Sequence, residues 1–266
     1  MGYSELFQPR WDIARLVACN LVAAALLVLW LWPAGNAVFT GFDEGLFLLL
    51  NQPLAHNSIW LHIWTVGSLR PFDIVVGLIL LFLLIKGDWV FKAGQVRAAF
   101  FAFFVALITL LVLRAVFSKI IDNTTFQHDS PSMVIANAIK LSNIFPYLEK
   151  HWELKDRSSQ SFPGDHASVL LIWAMFMSVF SRTLGQRVVI WLLAFLFMMP
   201  RLVAGAHWGQ DDYIGGVAMA LLALGWTLYT PLAARATDLL LRITTPVFRL
   251  LGRIPIIRRL SIVRFG

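Results

Sequence analysis

Six stretches of the chain are apolar for long enough, or nearly so, to be read as helices crossing a membrane: residues 13–32, 72–85 with apolar residues ahead of it, 98–117, 166–180, 188–203 and 214–232. The hydrocarbon core of a bilayer takes about 20 apolar residues of helix to span, and the second, fourth and fifth stretches fall short of that. The pattern predicts an all-α polytopic bundle of about six transmembrane helices, a single membrane-embedded unit over residues 1–234. The first stretch is expected to stay as a span, because it is long for the core of a cleaved leader and lacks a small-x-small site before Trp32-Pro33.

Residues 235–266 read differently. Arg235, Arg242, Arg249, Arg253, Arg258, Arg259 and Arg264 are spaced among Leu, Ile, Val and Phe, the pattern of a basic amphipathic segment lying on anionic lipid. Between the third and fourth stretches, Val134, Ile135, Ala138, Ile139 and Leu141 fall at helical spacing, predicting a short helix over 133–144 that rests on the membrane surface or packs on the bundle. There is no internal repeat, low-complexity tract or second soluble domain.

Composition sharpens this picture. The chain is 59% hydrophobic and 14% charged, against roughly 45–50% apolar in soluble domains. The lone cysteine, Cys19, sits inside the first stretch as a small packing residue, which excludes an intrachain disulfide or a cysteine-rich metal site. A net charge of +7 invites a nucleic-acid reading, but many of the basic residues flank apolar stretches and no aromatic-interleaved groove accompanies them. Headgroup anchoring is the better account, and no nucleic acid is expected as a partner.

Charge also orients the chain. Arg10 and Arg15 precede the first stretch, Lys86, Lys92 and Arg97 separate the second and third, and Arg182 and Arg187 separate the fourth and fifth. With the basic tail they define one side, cytoplasmic by the positive-inside bias, so both termini are expected there. The opposite side then holds residues 33–70, 119–162 and 200–212. Lys119, Lys140, Lys150, Lys155 and Arg157 lie on that side against the bias, and some of them are assigned to function.

The chemically suggestive residues all fall on the outer side. One group is Arg201, His207 and Asp211; the other is Pro163, Gly164, Asp165 and His166 at the start of the fourth stretch. Proline suits the first turn of a helix, so Gly164, Asp165 and His166 are expected where free amides point outward to hold an anion. The guanidinium of Arg201 can grip two phosphate oxygens, giving a phosphoryl pocket without a metal or other cofactor. His207 and Asp211 are one helical turn apart, so the carboxylate can hold one imidazole nitrogen and leave the other as a nucleophile. His166 is the candidate acid for the leaving oxygen. Any one of these alone reads as an interfacial polar residue or a satisfied ion pair; their convergence at two helix ends on one face favours function. Gly205, Gly215 and Gly216 allow close backbone approach or ordinary helix packing, and Trp208 reads as an interfacial aromatic.

These residues resemble the type-2 phosphatidic acid phosphatase (PAP2) family, whose Arg-x5-His-x3-Asp motif is matched by Arg201, His207 and Asp211 and whose Pro-Ser-Gly-His motif is matched in part by Pro163 and His166. The resemblance implies a helical core in which His207 becomes phosphorylated, Asp211 orients it, His166 protonates the leaving group and Arg201 binds phosphate. Two departures stand out: Gly164-Asp165 replaces Ser-Gly, and the family's Lys-x6-Arg-Pro motif is not recoverable. Its nearest stretch places His128 where an arginine is wanted, with Lys119, Lys155 and Arg157 as substitutes. The run 161–166, with Lys155-Asp156 before it and 200–208 after it, is similar to the lipid A 1-diphosphate synthase branch. That likeness implies a bacterial inner-membrane transferase that moves phosphate from undecaprenyl diphosphate to the 1-phosphate of lipid A on the periplasmic face. A lipid phosphate phosphatase using water, or a non-enzymatic transporter or lipid-binding protein, are the alternatives.

Overall fold

All six predicted stretches are helical in the computed structural model, which describes residues 6–122, 124 and 126–264. In chain order the helices are α1 (Ile13–Leu31), α2 (Pro33–Asn51), α3 (Ser58–Gly67), α4 (Arg70–Ile85) and α5 (Val96–Ile121), then the short α6 (Pro131–Val134), α7 (Leu141–Ile144) and α8 (Pro146–Trp152). They continue with α9 (Asp165–Phe180), α10 (Leu184–Ala204), a π-helical turn (Asp211–Gly216) running into α11 (Val217–Leu228), α12 (Leu232–Leu251) and α13 (Ser261–Arg264). The fold is all-α, with no β-strand among the described residues.

Three helices are long and apolar enough to cross a membrane alone: α1, α5 with its preceding turn, and α10. The segments Asp211–Leu228 and Leu232–Leu251 reach that standard only as a pair bent by 69°. Helices α4 and α9, at 16 residues each, are shorter than the predicted spans require. The reason lies in their first turns, which open with Arg70 and Asp73 in α4 and with Asp165 and His166 in α9. Those turns face a polar site rather than acyl chains.

Helix α5 packs on α9, α11 and α12, and α11 packs in turn on α1 and α9. Small buried residues line the crossing: Ala98, Ala99, Ala102 and Ala106 on α5, and Ala218, Ala220 and Ala223 on α11. Lipid tails are as apolar as leucine, so close packing rather than water exclusion holds such helices together, and alanine permits the approach. Large apolar side chains such as Leu21, Val28, Ile74, Leu78, Phe82, Leu192 and Phe195 remain exposed on the outer faces of α1, α4 and α10. That surface suits a membrane protein.

Helices α2 and α3 lie where the sequence predicts only an outer connection. Pro33 stands in the first turn of α2, but Gly35, Asn36, Gly41, Asp43, Glu44 and Gly45 interrupt its apolar periodicity. The expected helix over 133–144 is also replaced, by the separate turns α6 and α7. There the backbone bonds elsewhere: Asn51 accepts from the Ile139 amide at 2.7 Å and donates to the Ile139 carbonyl at 3.0 Å, while the Ser142 amide donates to Asp156 at 2.8 Å. Arg97, read as a topology signal, is buried and ties down the C-terminal segment. Its Nε donates to the Ile262 carbonyl at 2.7 Å and its Nη2 to the Val263 carbonyl at 2.9 Å, with the guanidinium carbon 4.1 Å from the Phe248 ring centroid.

The end of α10 sets up the site. Gly205 adopts φ +81°, and the amides of Gly205 and Ala206 both donate to the Arg201 carbonyl, at 3.1 and 2.9 Å. Only glycine fits, because a Cβ at 205 would lie 2.7 Å from the Phe47 ring and 2.9 Å from Ser132 Cβ. Gly205→Ala is therefore expected to lose roughly 1–3 kcal/mol, read as a lower thermal midpoint in detergent. Gly41→Ala, where nothing lies within 4 Å of the added carbon, should leave the midpoint in place. Equal midpoints for the two variants would contradict this account of the turn.

Candidate active site

The start of α9, the end of α10 and the turn between α10 and the π-helical segment meet at a cavity of about 440 Å³. Six of the predicted residues line it: Lys155, Arg157, Asp165, His166, Arg201 and His207. Gly164, His128 and Asp211 do not line it.

His207 is buried and held at both ring nitrogens. Its Nδ1 lies 3.0 Å from the Ser161 carbonyl and 3.5 Å from Asp211 Oδ2, and its Nε2 lies 3.1 Å from Asp165 Oδ1. Burial disfavours charge on the ring, but the hydrogen bonds to Asp165 and Asp211 and the nearby Asp212 outweigh it and push the imidazole up to about 10. The two carboxylates thus favour the protonated ring. The expected arrangement, one nitrogen held and the other open, is altered by Asp165, whose carboxylate was expected near phosphate and instead occupies Nε2.

Asp211 is fully buried and heavily bonded. Its Oδ2 accepts from the Trp208 amide at 2.8 Å and from the Ser161 hydroxyl, and its Oδ1 accepts from His128 Nε2 at 3.1 Å. His128, expected to contact phosphate, therefore stands behind the carboxylate. Burial depresses its basicity, yet the Asp211 contact raises it overall. Trp208 is also buried rather than interfacial, with its ring N–H donating to the Asp129 carbonyl at 2.9 Å.

Two of the amides expected to face an anion are already used. The Gly164 N–H donates to the Asp211 carbonyl at 2.9 Å, and the His166 N–H donates to the neighbouring Asp165 Oδ1 at 2.7 Å. Glycine at 164 serves close approach instead: a Cβ there would collide with the Asp212 carboxylate and with the Asp211 backbone. Gly215 likewise permits contact with Phe162 and Pro163.

His166 donates from Nε2 to the Phe197 carbonyl at 3.0 Å, which leaves Nδ1 facing the cavity, 3.8 Å from Asp73 Oδ1. Arg201 is 5% exposed, and its Nη2 contacts both oxygens of Asp73, at 2.8 and 2.6 Å. Lys155 pairs with Glu153, and Arg157 reaches Glu149 at 2.7 Å. The cavity holds two further residues that the sequence reading passed over, Asp73 and Arg114. Arg114 Nε is buried without a hydrogen-bond partner among the described residues. Each was legible by one signal: Asp73 is the lone charge in 72–85 and Arg114 the lone charge in 98–117, and a charge inside a span is a functional mark.

Two imidazoles and a set of cations thus line one cavity, a make-up that suits a phosphoryl group. Comparison with known proteins points the same way. The family model of the PAP2 superfamily matches residues 101–235, a region that contains Arg114, His166, Arg201, His207 and Asp211. Among curated proteins, the lipid A 1-diphosphate synthase of Escherichia coli K12 is 28% identical over 229 residues, covering 84% of this chain and 91% of that protein. No solved structure matches the chain.

The raised basicity of His207 links to stability with a definite sign. A histidine at 6.5 when unfolded and about 10 when folded stabilises fully below pH 6.5, and that contribution fades as pH rises to about 10. The thermal midpoint of the parent should therefore exceed that of His207→Gln most at pH 6, with the gap narrowing steadily towards pH 10. A gap that widens with pH would mean that the ring is neutral in the fold.

Proposed function

The chain belongs to the PAP2 superfamily, and on that premise we propose that it is a lipid phosphotransferase that moves the terminal phosphate of undecaprenyl diphosphate to the 1-phosphate of lipid A through a phosphohistidine at His207. The observation that carries the reading is the make-up of one cavity. His207, His166 and Arg201 stand at its polar end, and Val76, Gly77, Leu80, Leu111 and Leu170, from α4, α5 and α9, form its apolar wall. A ligand with a phosphate head and a long apolar tail fits both ends.

In the first half-reaction Asp165 leaves Nε2 carrying its proton, the freed Nε2 lone pair of His207 attacks the terminal phosphorus, the P–N bond forms and the bond to the bridging oxygen breaks. With its Nε2 proton held by the Phe197 carbonyl, His166 takes a second proton on Nδ1, which faces Asp73 and the arriving diphosphate, and this imidazolium gives that proton to the leaving undecaprenyl phosphate. In the second half-reaction a phosphate oxygen of the acceptor attacks the phosphohistidine, making the new diphosphate and restoring His207. Asp211, held by Ser161, Trp208 and His128, keeps Nδ1 protonated and the ring oriented. Arg201 and Arg114, with Lys155 and Arg157, offset charge on the equatorial oxygens, the main need of such a transfer. A phosphate monoester with a second pKa of about 6 is already a nucleophilic dianion at neutral pH, which favours it over water, a nucleophile that needs a base. By the distribution of basic residues, the site faces the periplasm of a bacterial inner membrane, and the termini and the basic segment over 235–266 face the cytoplasm.

With a labelled diphosphate donor, His207→Ala should lower phosphate transfer by about 10³-fold or more; transfer retained by the variant rejects the mechanism. Lipid A from cells carrying the gene should gain the mass of one phosphate, whereas free phosphate without that gain identifies water as the acceptor. Gly77 tests the apolar wall, since nothing lies within 4 Å of an added Cβ. Gly77→Leu should raise KM for a long-chain donor by about tenfold and for a short-chain donor much less. Equal effects on both donors would remove this wall as the seat of the tail.

A further inference from the structure

Most cations of the cavity, Arg114 apart, are answered from within the chain. Arg201 is gripped by Asp73, Lys155 and Arg70 pair with Glu153, Arg157 pairs with Glu149, and His207 Nε2 meets Asp165. The last of these contacts differs from the others because it covers the atom that must attack. Asp211, on the other face of the ring, is fully buried and fixed by three donors in addition to the ring itself. Asp165 is its opposite: the side chain is 57% exposed to the cavity.

Taking His207 as the nucleophile, we propose that Asp165 is an internal stand-in for the transferred phosphoryl group, seated on His207 Nε2 in the empty enzyme and displaced when an anionic headgroup arrives. Three features support the exchange. The carboxylate presents one oxygen at 3.1 Å from Nε2, the side from which phosphorus must approach. The same Oδ1 also accepts from the adjacent His166 amide at 2.7 Å, a donor that stays available to either carboxylate oxygen once the ring is released. The residue opens that helix, so rotation of its side chain moves no backbone of the bundle. The device makes charge the condition for opening, because a headgroup must outcompete a carboxylate for the imidazolium. A diphosphate does so better than a singly charged or zwitterionic head.

The test is inhibition of the full-length protein in detergent by orthovanadate, an inorganic mimic of the phosphoryl group, for the parent, Asp165→Asn and Asp165→Ser. Serine is a second uncharged replacement at the start of α9, so it serves if asparagine disturbs the fold. Both variants should bind vanadate about five- to tenfold more tightly than the parent and show a lower KM for the diphosphate donor, since the competing ion pair is gone. Unchanged or weaker vanadate binding in both variants would overturn the stand-in. Failure of the underlying reading looks different: vanadate would inhibit none of the proteins, and His207→Ala would keep its transfer activity. A purely structural role for Asp165 would lower the thermal midpoint without tightening vanadate.

Discussion

An imidazolium buried at the rim of an apolar bundle must be answered by carboxylates, and the surroundings of His207 are arranged by that requirement. Asp211 and Asp165 hold its two nitrogens. Each carboxylate then needs donors of its own, because an unpaired charge in low dielectric is more costly than the pair is favourable. Asp211 takes them from Ser161, Trp208 and His128, and this draws residues 127–130 and 161–163 against the start of the π-helical segment. Further out, Asp43 on α2 accepts from the Gln210 amide at 2.7 Å and the Tyr213 hydroxyl at 3.1 Å. Helix α2 therefore buttresses the turn that carries His207.

The same requirement shapes the helices. A span filled with apolar residues from end to end has no place for His166, Arg201, Asp73 or Arg114. The chain solves this by starting α4 and α9 at the level of the site and by ending α10 there with Gly205 in a left-handed turn. The shortness of α4 and α9 and the position of the cavity are thus one feature seen twice. Small residues in α5 and α11 let the remaining helices pack closely enough to hold that geometry.

Much of this was legible in the residues. Apolar runs locate the six helices because a bilayer admits little else, and the spacing of Arg201, His207 and Asp211 points to the candidate site because those residue types rarely gather without cause. What stayed hidden depends on partners distant in sequence. No local pattern says that Arg201 will bind Asp73, 128 residues away, or that His128 will support Asp211 rather than meet phosphate. The amides of Gly164 and His166 looked free by helix rules alone, but one is claimed by the Asp211 carbonyl and the other by Asp165. Helix α2 was missed because glycines and acids mask its period, and those acids include Asp43, the anchor of the site turn. Asp73 and Arg114 were the recoverable omissions, since a solitary charge in an apolar stretch is itself a signal.

The pairing of nearly every cation in the cavity with an internal acid bears on how such a site selects its ligand. Against a bare cluster of cations, any anion would bind, and affinity would follow total charge. Against a cluster already neutralised, a ligand gains only the difference between its own contacts and those it displaces. Arg201 holds both oxygens of Asp73 through Nη2 alone and gives up that contact to a group that also offers several oxygens, which a phosphate does and a hydroxyl or a choline head does not. Arg114, with its Nε unsatisfied among the described residues, has no such contact to give up at that atom. On the proposed reading, the site therefore discriminates by the geometry of the phosphate group as well as by its charge.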